Sequence, residues 1–372
     1  MNIVELDKYP LSDRNGTYGG QAGSKEGILI DGDYWIVKYP KSTKGMRGPL
    51  TSYTTAPLSE YIGSNVYKIL GIDVHETMLG IRNDKLVVAC KDFCKTEGAL
   101  REIRTVKNVY NKELNDLLEE NLSSTSESHL VDIRDILIHL KYNPVLQNIP
   151  NVKNRFWQQI IVDALINNND RNNGNWGILY ENDIYKLAPV FDNGAAFSNK
   201  LPDTKLNEYL LDTDKFLSSM NNSRTSYSIA VKSSDNTVEI QPIFIKDLHK
   251  ISASSFYEAV IDMVPIINQK MNEIERFIND IPNNYKDINV CSEIRKQFYI
   301  KSIKFRFDMF LLPLYEKALT MKKNEHNFEE LEPDYEEDGV SYSTSDDFEE
   351  NEVSDRESTN FEYNGFDLGD DE

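Results

Sequence analysis

The sequence predicts an α+β chain in two lobes: a small β-rich lobe over residues 1–95 and a larger, mainly helical lobe over 96–323. A disordered acidic tail over 324–372 is expected to follow. Three observations lead to this reading. Short apolar runs broken by Gly and Asn-Asp turns occupy roughly the first ninety residues. From about Lys107 the apolar residues recur at helical spacing. From Asn324 onward the chain holds 20 Asp and Glu against one basic residue, Arg356.

The charge matters once it is located. The net −20 divides into −19 on residues 324–372 and −1 on the preceding 323, so the folding part is close to neutral. The tail is too poor in aliphatic residues to offset its chain entropy. Its Phe328, Tyr335, Tyr342, Phe348, Phe361, Tyr363 and Phe366 stand among acids, which suits either a solubilising role or docking on a basic, apolar surface. Three cysteines, Cys90, Cys94 and Cys291, make no disulfide framework and suit a reducing compartment. No second Cys/His pair accompanies CKDFC, so these read as ordinary thiols rather than metal ligands. No apolar run approaches the roughly 20 residues that span a bilayer, and no signal-peptide core is evident. The expectation is a cytoplasmic protein without membrane insertion, with export to a host cell left open.

Taken in order, the first element is a glycine-dense stretch, GTYGGQAG from Gly16 to Gly23, leading into a hairpin of GILID and YWIVKYP with its turn at Gly32–Asp33. Pro57–Ile72 reads as a helix through Leu58, Ile62, Val66, Ile69 and Leu70, closed by Gly71. HETMLGIRNDKLVVACKDF reads as a second hairpin turning at Asn83–Asp84. HLVDIRDILIHLKYNPVL is a candidate helix, and Asn154–Asn167 an amphipathic one that delivers the chain into NNDRNNGNWGILY. A short hairpin follows, Trp176–Tyr180 and Tyr185–Phe191 around Asn182–Asp183. The polar run Ser198–Ser228 is expected to form a mobile flap, and Ala253–Asn279 and Ser292–Met321 to form two long helices.

The chemistry concentrates around that third hairpin. Asp170 stands five residues before Asn175, and Asp192 follows the partner strand. A hairpin brings its two ends together, so all three polar groups are expected around one point. Asp, Asn and Asp in this order match the needs of phosphoryl transfer: the first positions and deprotonates a hydroxyl, the other two hold magnesium against nucleotide phosphates. Arg171 and Asn173 read as loop structure.

The segments YGGQAGSKEGIL, YWIVKYP, LSEYIGSNVYKILGI, LVVACKDF, NNDRNNGNWGIL and VFDNG, in this order over about residues 15 to 320, resemble the protein-kinase-like superfamily. Within it they are most similar to the HipA-type serine/threonine kinases and their CtkA-like relatives. The resemblance implies a two-lobed kinase fold that uses ATP and Mg2+ to phosphorylate Ser or Thr of a protein, and autophosphorylation near Thr17 or within Ser198–Ser228. It implies Asp170 as catalytic base, Lys38 on the nucleotide phosphates, and Asn175 and Asp192 on the metal. Glu60 is then the expected partner of Lys38. The backbone of Gln21, Ala22, Gly23, Ser24, Lys25 and Glu26 would cover the phosphates, since glycines permit close backbone approach. Residues from Ala89 through Lys91 to Phe93 would form the hinge that meets adenine.

Three features depart from the family pattern. Thr17 is the hydroxyl nearest the position of the serine by which HipA-type kinases inactivate themselves, the second metal motif is DNG rather than DFG, and the acidic tail has no counterpart. The loops also resemble those of type II phosphatidylinositol 4-kinases. A lipid kinase needs a surface for the membrane, and neither a polybasic stretch nor a cysteine cluster for acylation is present, which favours protein as substrate. The remaining alternative is a catalytically weak, kinase-like interaction protein acting through the tail. Expected partners are a protein substrate and an antitoxin or regulatory protein; direct nucleic-acid binding is not expected.

Overall fold

The computed structural model describes residues 2–16, 18, 25–96, 98–108, 112, 114, 130–232 and 238–323. The expectations for Thr17, for Gln21 to Ser24 and for the tail lie outside these residues. The N-terminal part is a five-stranded sheet in the order β1-β4-β5-β3-β2, built from β1 (Val4–Glu5), β2 (Lys25–Ile30), β3 (Asp33–Lys38), β4 (Thr77–Arg82) and β5 (Lys85–Lys91). All pairings are antiparallel except β1 with β4. The Asn83–Asp84 turn occurs as expected, both residues with positive φ, as the right-handed twist of a tight hairpin demands. The first hairpin turns one residue earlier than read, at Asp31–Gly32, because these two take positive φ while Asp33 already pairs with Ile30.

Strand alternation gives this sheet two different faces. Trp35, Val37, Val87 and Ala89 point outward and are sealed by Leu6. Lys38, Val88 and Leu79 share the opposite face by register, against helix α1 (Ala56–Ile69). From there one continuous core runs into the helices.

The chain crosses to the helical part through β6 (Leu100–Glu102), which pairs with β8 (Gly177–Glu181) and hence β9 (Ile184–Leu187). Helix α2 is the single turn Ile103–Val106. The helix read across HLVDIRDILIHLKYNPVL is shorter than expected. Val131–Asp132 forms strand β7, Asp132 caps α3 (Ile133–Tyr142) by accepting from the Arg134 amide, and Asn143 turns extended before Pro144. Helix α4 (Val152–Ile166) is not amphipathic: from Gln159 to Ile166 every residue is buried, so it is the central helix of the core.

The expected flap is ordered. It contains α5 (Asp203–Leu211), α6 (Thr213–Asn221) and the start of β10 (Arg224–Lys232), which pairs with β7 and β11 (Val238–Phe244). Leu206, Phe216, Met220 and Tyr227 anchor it in the core, a spacing hidden among Asn and Ser residues. Helix α7 (Ser254–Asn279) matches the reading. The last helix divides into α8 (Glu293–Arg306) and α9 (Leu312–Lys323) around a π-turn at Phe307–Leu311. Pro313 has no N–H to close the regular ladder there. No helix among the described residues is long and apolar enough to cross a membrane.

Candidate active site

Lys38 ends β3 on the face that looks at α1, and α1 presents Glu60 from its second turn. Lys38 Nζ lies 3.0 Å from Glu60 Oε2 and 2.9 Å from Asp192 Oδ1, so one ammonium joins the sheet, α1 and the loop after β9. Burial by itself would lower the Lys38 pKa, but Asp192 and then Glu60 hold it well above its usual value. Burial would likewise raise the Glu60 carboxyl, and Lys38 with His75 outweighs it. The charge of Lys38 is the main reason that Asp192 is held below the usual carboxylate range.

Behind Glu60 stands a polar chain that the sequence reading missed. His75 Nε2 meets Glu60 Oε1 at 3.0 Å and Ser64 Oγ at 3.0 Å. Asn193 donates to Ser64 Oγ at 3.0 Å, and its Oδ1 accepts from Arg171 Nη2 at 2.6 Å. The Asn of DNG is thus the connector between α1 and the Asp170 loop. A phenyl ring could make neither bond.

Arg171 is the centre of the loop. Its guanidinium is fully buried and meets both oxygens of Asp163 on α4, at 2.8 and 2.9 Å. It also donates to the carbonyls of Asn175 (3.0 Å) and Phe191 (2.5 Å), which ties both ends of the β8–β9 hairpin to one side chain. Asp163 accepts in addition from Tyr67 (2.8 Å), Asn168 (3.1 Å) and Tyr227 (3.3 Å). These donors replace the water that burial takes from the carboxylate. An acid inside the apolar run QQIIVDALIN was the one sequence signal for it.

Asp170 itself is exposed to solvent. Partial desolvation, then repulsion from Asp192, raises its carboxyl above the usual value, and Lys41 and Lys200 oppose this. Asn175 Nδ2 donates to the Asp170 carbonyl at 2.6 Å, which turns its Oδ1 away as the free end of the amide. Asp192 takes a positive φ of 62°, and the hairpin before it is bonded to the segment ahead of β4 through Val190 N–Asp73 O (2.9 Å) and His75 N–Val190 O (3.0 Å).

The fold therefore brings Lys38, Glu60, Asp170, Asn175 and Asp192 together. Lys25 lies opposite Lys38 in the β2–β3 register and shares its face; burial, then the charge of Lys38, lowers its pKa. Glu26 turns outward to Arg82 (2.7 Å) and Tyr39 (3.0 Å). Ala89 is paired inside the sheet with Val37 and Met78, and the Lys91 ammonium pairs with Asp33 at 2.8 Å on the outer side. The side chains of these three face away from Lys38, so only their backbone could serve the expected loop and hinge. Phe93, just beyond β5, is: its ring lies 5.7 Å from that of Phe191, beside Asp192.

Oxygen donors on Asp192 and Asn175, with a second carboxylate repelled by the first, form the donor set that a hard divalent cation fits. Glu60, His75 and Cys90 also bring one ligand atom each within 4.8 Å of one another. There both Glu60 oxygens already face partners, Lys38 and His75, and burial pushes the Cys90 thiol up, away from the thiolate a metal would need.

No family model matches the chain. It is homologous to the serine/threonine-protein kinase CtkA of Helicobacter pylori, with 28% identity over 301 residues, 80% of this chain and 83% of that protein. The crystal structure of the H. pylori proinflammatory kinase CtkA superposes with a TM-score of 0.68 at 24% identity, covering 86% of this chain and 99% of that one. The fold is accordingly the two-lobed kinase-like fold. HipA of Shewanella oneidensis, solved with HipB and operator DNA, aligns at a TM-score of 0.40 and 11% identity over 80% of this chain and 68% of that one, too distant to bear on function.

Proposed function

We propose that this chain is a serine/threonine protein kinase that uses ATP with magnesium. The observation that carries the reading is the single ammonium of Lys38 held between Glu60 and Asp192, on a loop locked by Arg171 to Asp170 and Asn175. A cation fixed in this way, facing two carboxylates, suits a polyanion and its metal better than any neutral ligand. Homology to a serine/threonine kinase supports the same reading.

In this mechanism Lys38 meets the phosphates, and Glu60 keeps the ammonium from following Asp192 outward. Asp192 and the Asn175 amide oxygen would hold magnesium, which supplies charge neutralisation of the transferring phosphoryl group. Asp170 orients the substrate hydroxyl and takes its proton. Its raised pKa makes the ionised carboxylate a stronger base than an ordinary Asp. Phe93 and Phe191 offer an apolar wall to the base of the nucleotide.

The test is transfer of labelled phosphate from ATP to protein, with wild type, Asp170→Asn and Asp192→Ala compared. Each variant should lose at least about a hundredfold in turnover, the usual scale for removing an electrostatic stabiliser. Undiminished transfer by a folded Asp192→Ala protein would sink the proposal.

A further inference from the structure

From Tyr34 to Ser59 the chain contains Lys38, Lys41, Lys44 and Arg47 and no acidic residue. Much of this segment is a loop between β3 and α1 closed at its base. Thr54 N donates to the Lys41 carbonyl at 2.8 Å, Lys41 N to Thr54 Oγ1 at 3.2 Å, and Thr43 N to the Ser52 carbonyl at 3.1 Å. The loop docks on the segment following Asp192 through Thr51 N–Lys200 O (3.1 Å) and Thr55 N–Asn199 O (2.7 Å). Lys41, Lys44 and Arg47 are exposed and make no salt bridge among the described residues, and Met46 and Tyr53 expose apolar surface beside them. Lys41 and Lys200 are also the foremost cations acting on the Asp170 carboxyl. A basic, partly apolar rim therefore flanks the position of the acceptor hydroxyl.

We propose that this loop selects Ser and Thr hydroxyls followed by acidic residues, and that its occupant is the chain's own segment 341–359, SYSTSDDFEENEVSDREST. The inference rests on the kinase reading and adds the substrate class. Segment 341–359 combines seven Asp and Glu, one Arg, a Phe and a run of hydroxyls ahead of its acids, the chemical complement of the rim. It is also within reach. From Lys323 to Ser345 an extended chain spans about 75 Å, more than the roughly 50 Å width of a compact domain of this size. Several hydroxyls of the expected flap are unavailable by comparison: Thr225, Ser226 and Ser228 are buried, and Ser226 Oγ accepts from the Arg171 amide. In the step itself a hydroxyl oxygen such as that of Ser345 bonds to the γ-phosphorus of ATP. The bond from that phosphorus to the β-phosphate oxygen breaks, ADP leaves, and the hydroxyl proton passes to Asp170.

The experiment compares two peptides with the full-length protein, magnesium and ATP. One is SYSTSDDFEENE; the other replaces each Asp and Glu by Asn and Gln. Phosphorylation sites on the protein itself are mapped by mass spectrometry. The acidic peptide should be preferred by about tenfold at low salt, the lower end of electrostatic steering. The preference should shrink with added salt and in the K44E/R47E variant, which should lose phosphate from 341–359 while phosphorylating the neutral peptide as before. Equal use of both peptides overturns the substrate class and leaves the kinase reading standing. Preference for the acidic peptide with no phosphate on 341–359 overturns the occupant and points to an acidic segment of another protein. No transfer to any acceptor overturns both readings.

Discussion

Asp170 and Asp192 are like residues with opposite titration. Asp192 is dominated by Lys38 and held low, whereas Asp170 is raised by desolvation and by Asp192 itself. A carboxyl raised on folding destabilises the native state wherever it is ionised; the cost appears as pH rises through the unfolded value towards the folded one. Asp170→Asn should therefore abolish transfer yet melt at or above the wild-type temperature at pH 7, with the difference closing as pH falls below about 4. The acid limb of kcat/KM should lie above that same value, as expected of a base in the free enzyme. A variant that melts lower at neutral pH would show that Asp170 is a structural residue. Asn193 makes the complementary point: its amide, which no acid–base chemistry requires, spans Ser64 and Arg171 and holds the two groups of charged residues in register.

At the scale of elements, the critical contact is α1 against the loop after β9. Gly63 lies where they meet: a Cβ there would stand 2.9 Å from Asn193 Cβ and 3.4 Å from Ile166 Cδ1. Helix propensity alone favours Gly63→Ala by about 1 kcal/mol, while forcing a methyl into packed surroundings costs about 1–3 kcal/mol. The second effect should win, because one of the neighbours is held by two hydrogen bonds and cannot yield freely. Gly63→Ala is expected to melt lower than wild type and to lose about tenfold in kcat, as displacement of a positioned group does. A more stable and fully active variant would show that the loop is free to move. Helix α4 anchors the other side, since Asp163 holds Arg171 and through it both ends of the hairpin.

For the whole molecule, one apolar core joins the inner face of the sheet to the helices as far as Ala318 on α9. A chain ended after Lys323 retains this core and sheds 19 net negative charges. It should melt within about 3 °C of the full chain, a shift of about 2 kcal/mol for a domain of this size. A fall of ten degrees or more would show that residues 324–372 belong to the folded structure.

How much of this was legible in the sequence follows from which signals are local. The hairpin turns at Asn83–Asp84 and Asn182–Asp183 were readable because positive φ is a property of the turn residues themselves. The two-lobed fold was legible in the change from short apolar runs to helical spacing near Lys107, and the nearness of Asp170, Asn175 and Asp192 in the strand–turn–strand that lies between them. The burial of α4 was not, since Gln159 and Asp163 read as a polar face until Tyr67, Arg171 and Tyr227 are seen to enclose the acid. Nor could the order of the 198–228 segment be seen, because Phe216 finds its partner at Phe298, far along the chain. The sequence by itself determined which polar groups the turns bring near one another. Only the tertiary structure decided that Asn193, His75 and Arg171 hold them, because a buried polar group acquires its role from partners distant in the chain, and no local pattern records those.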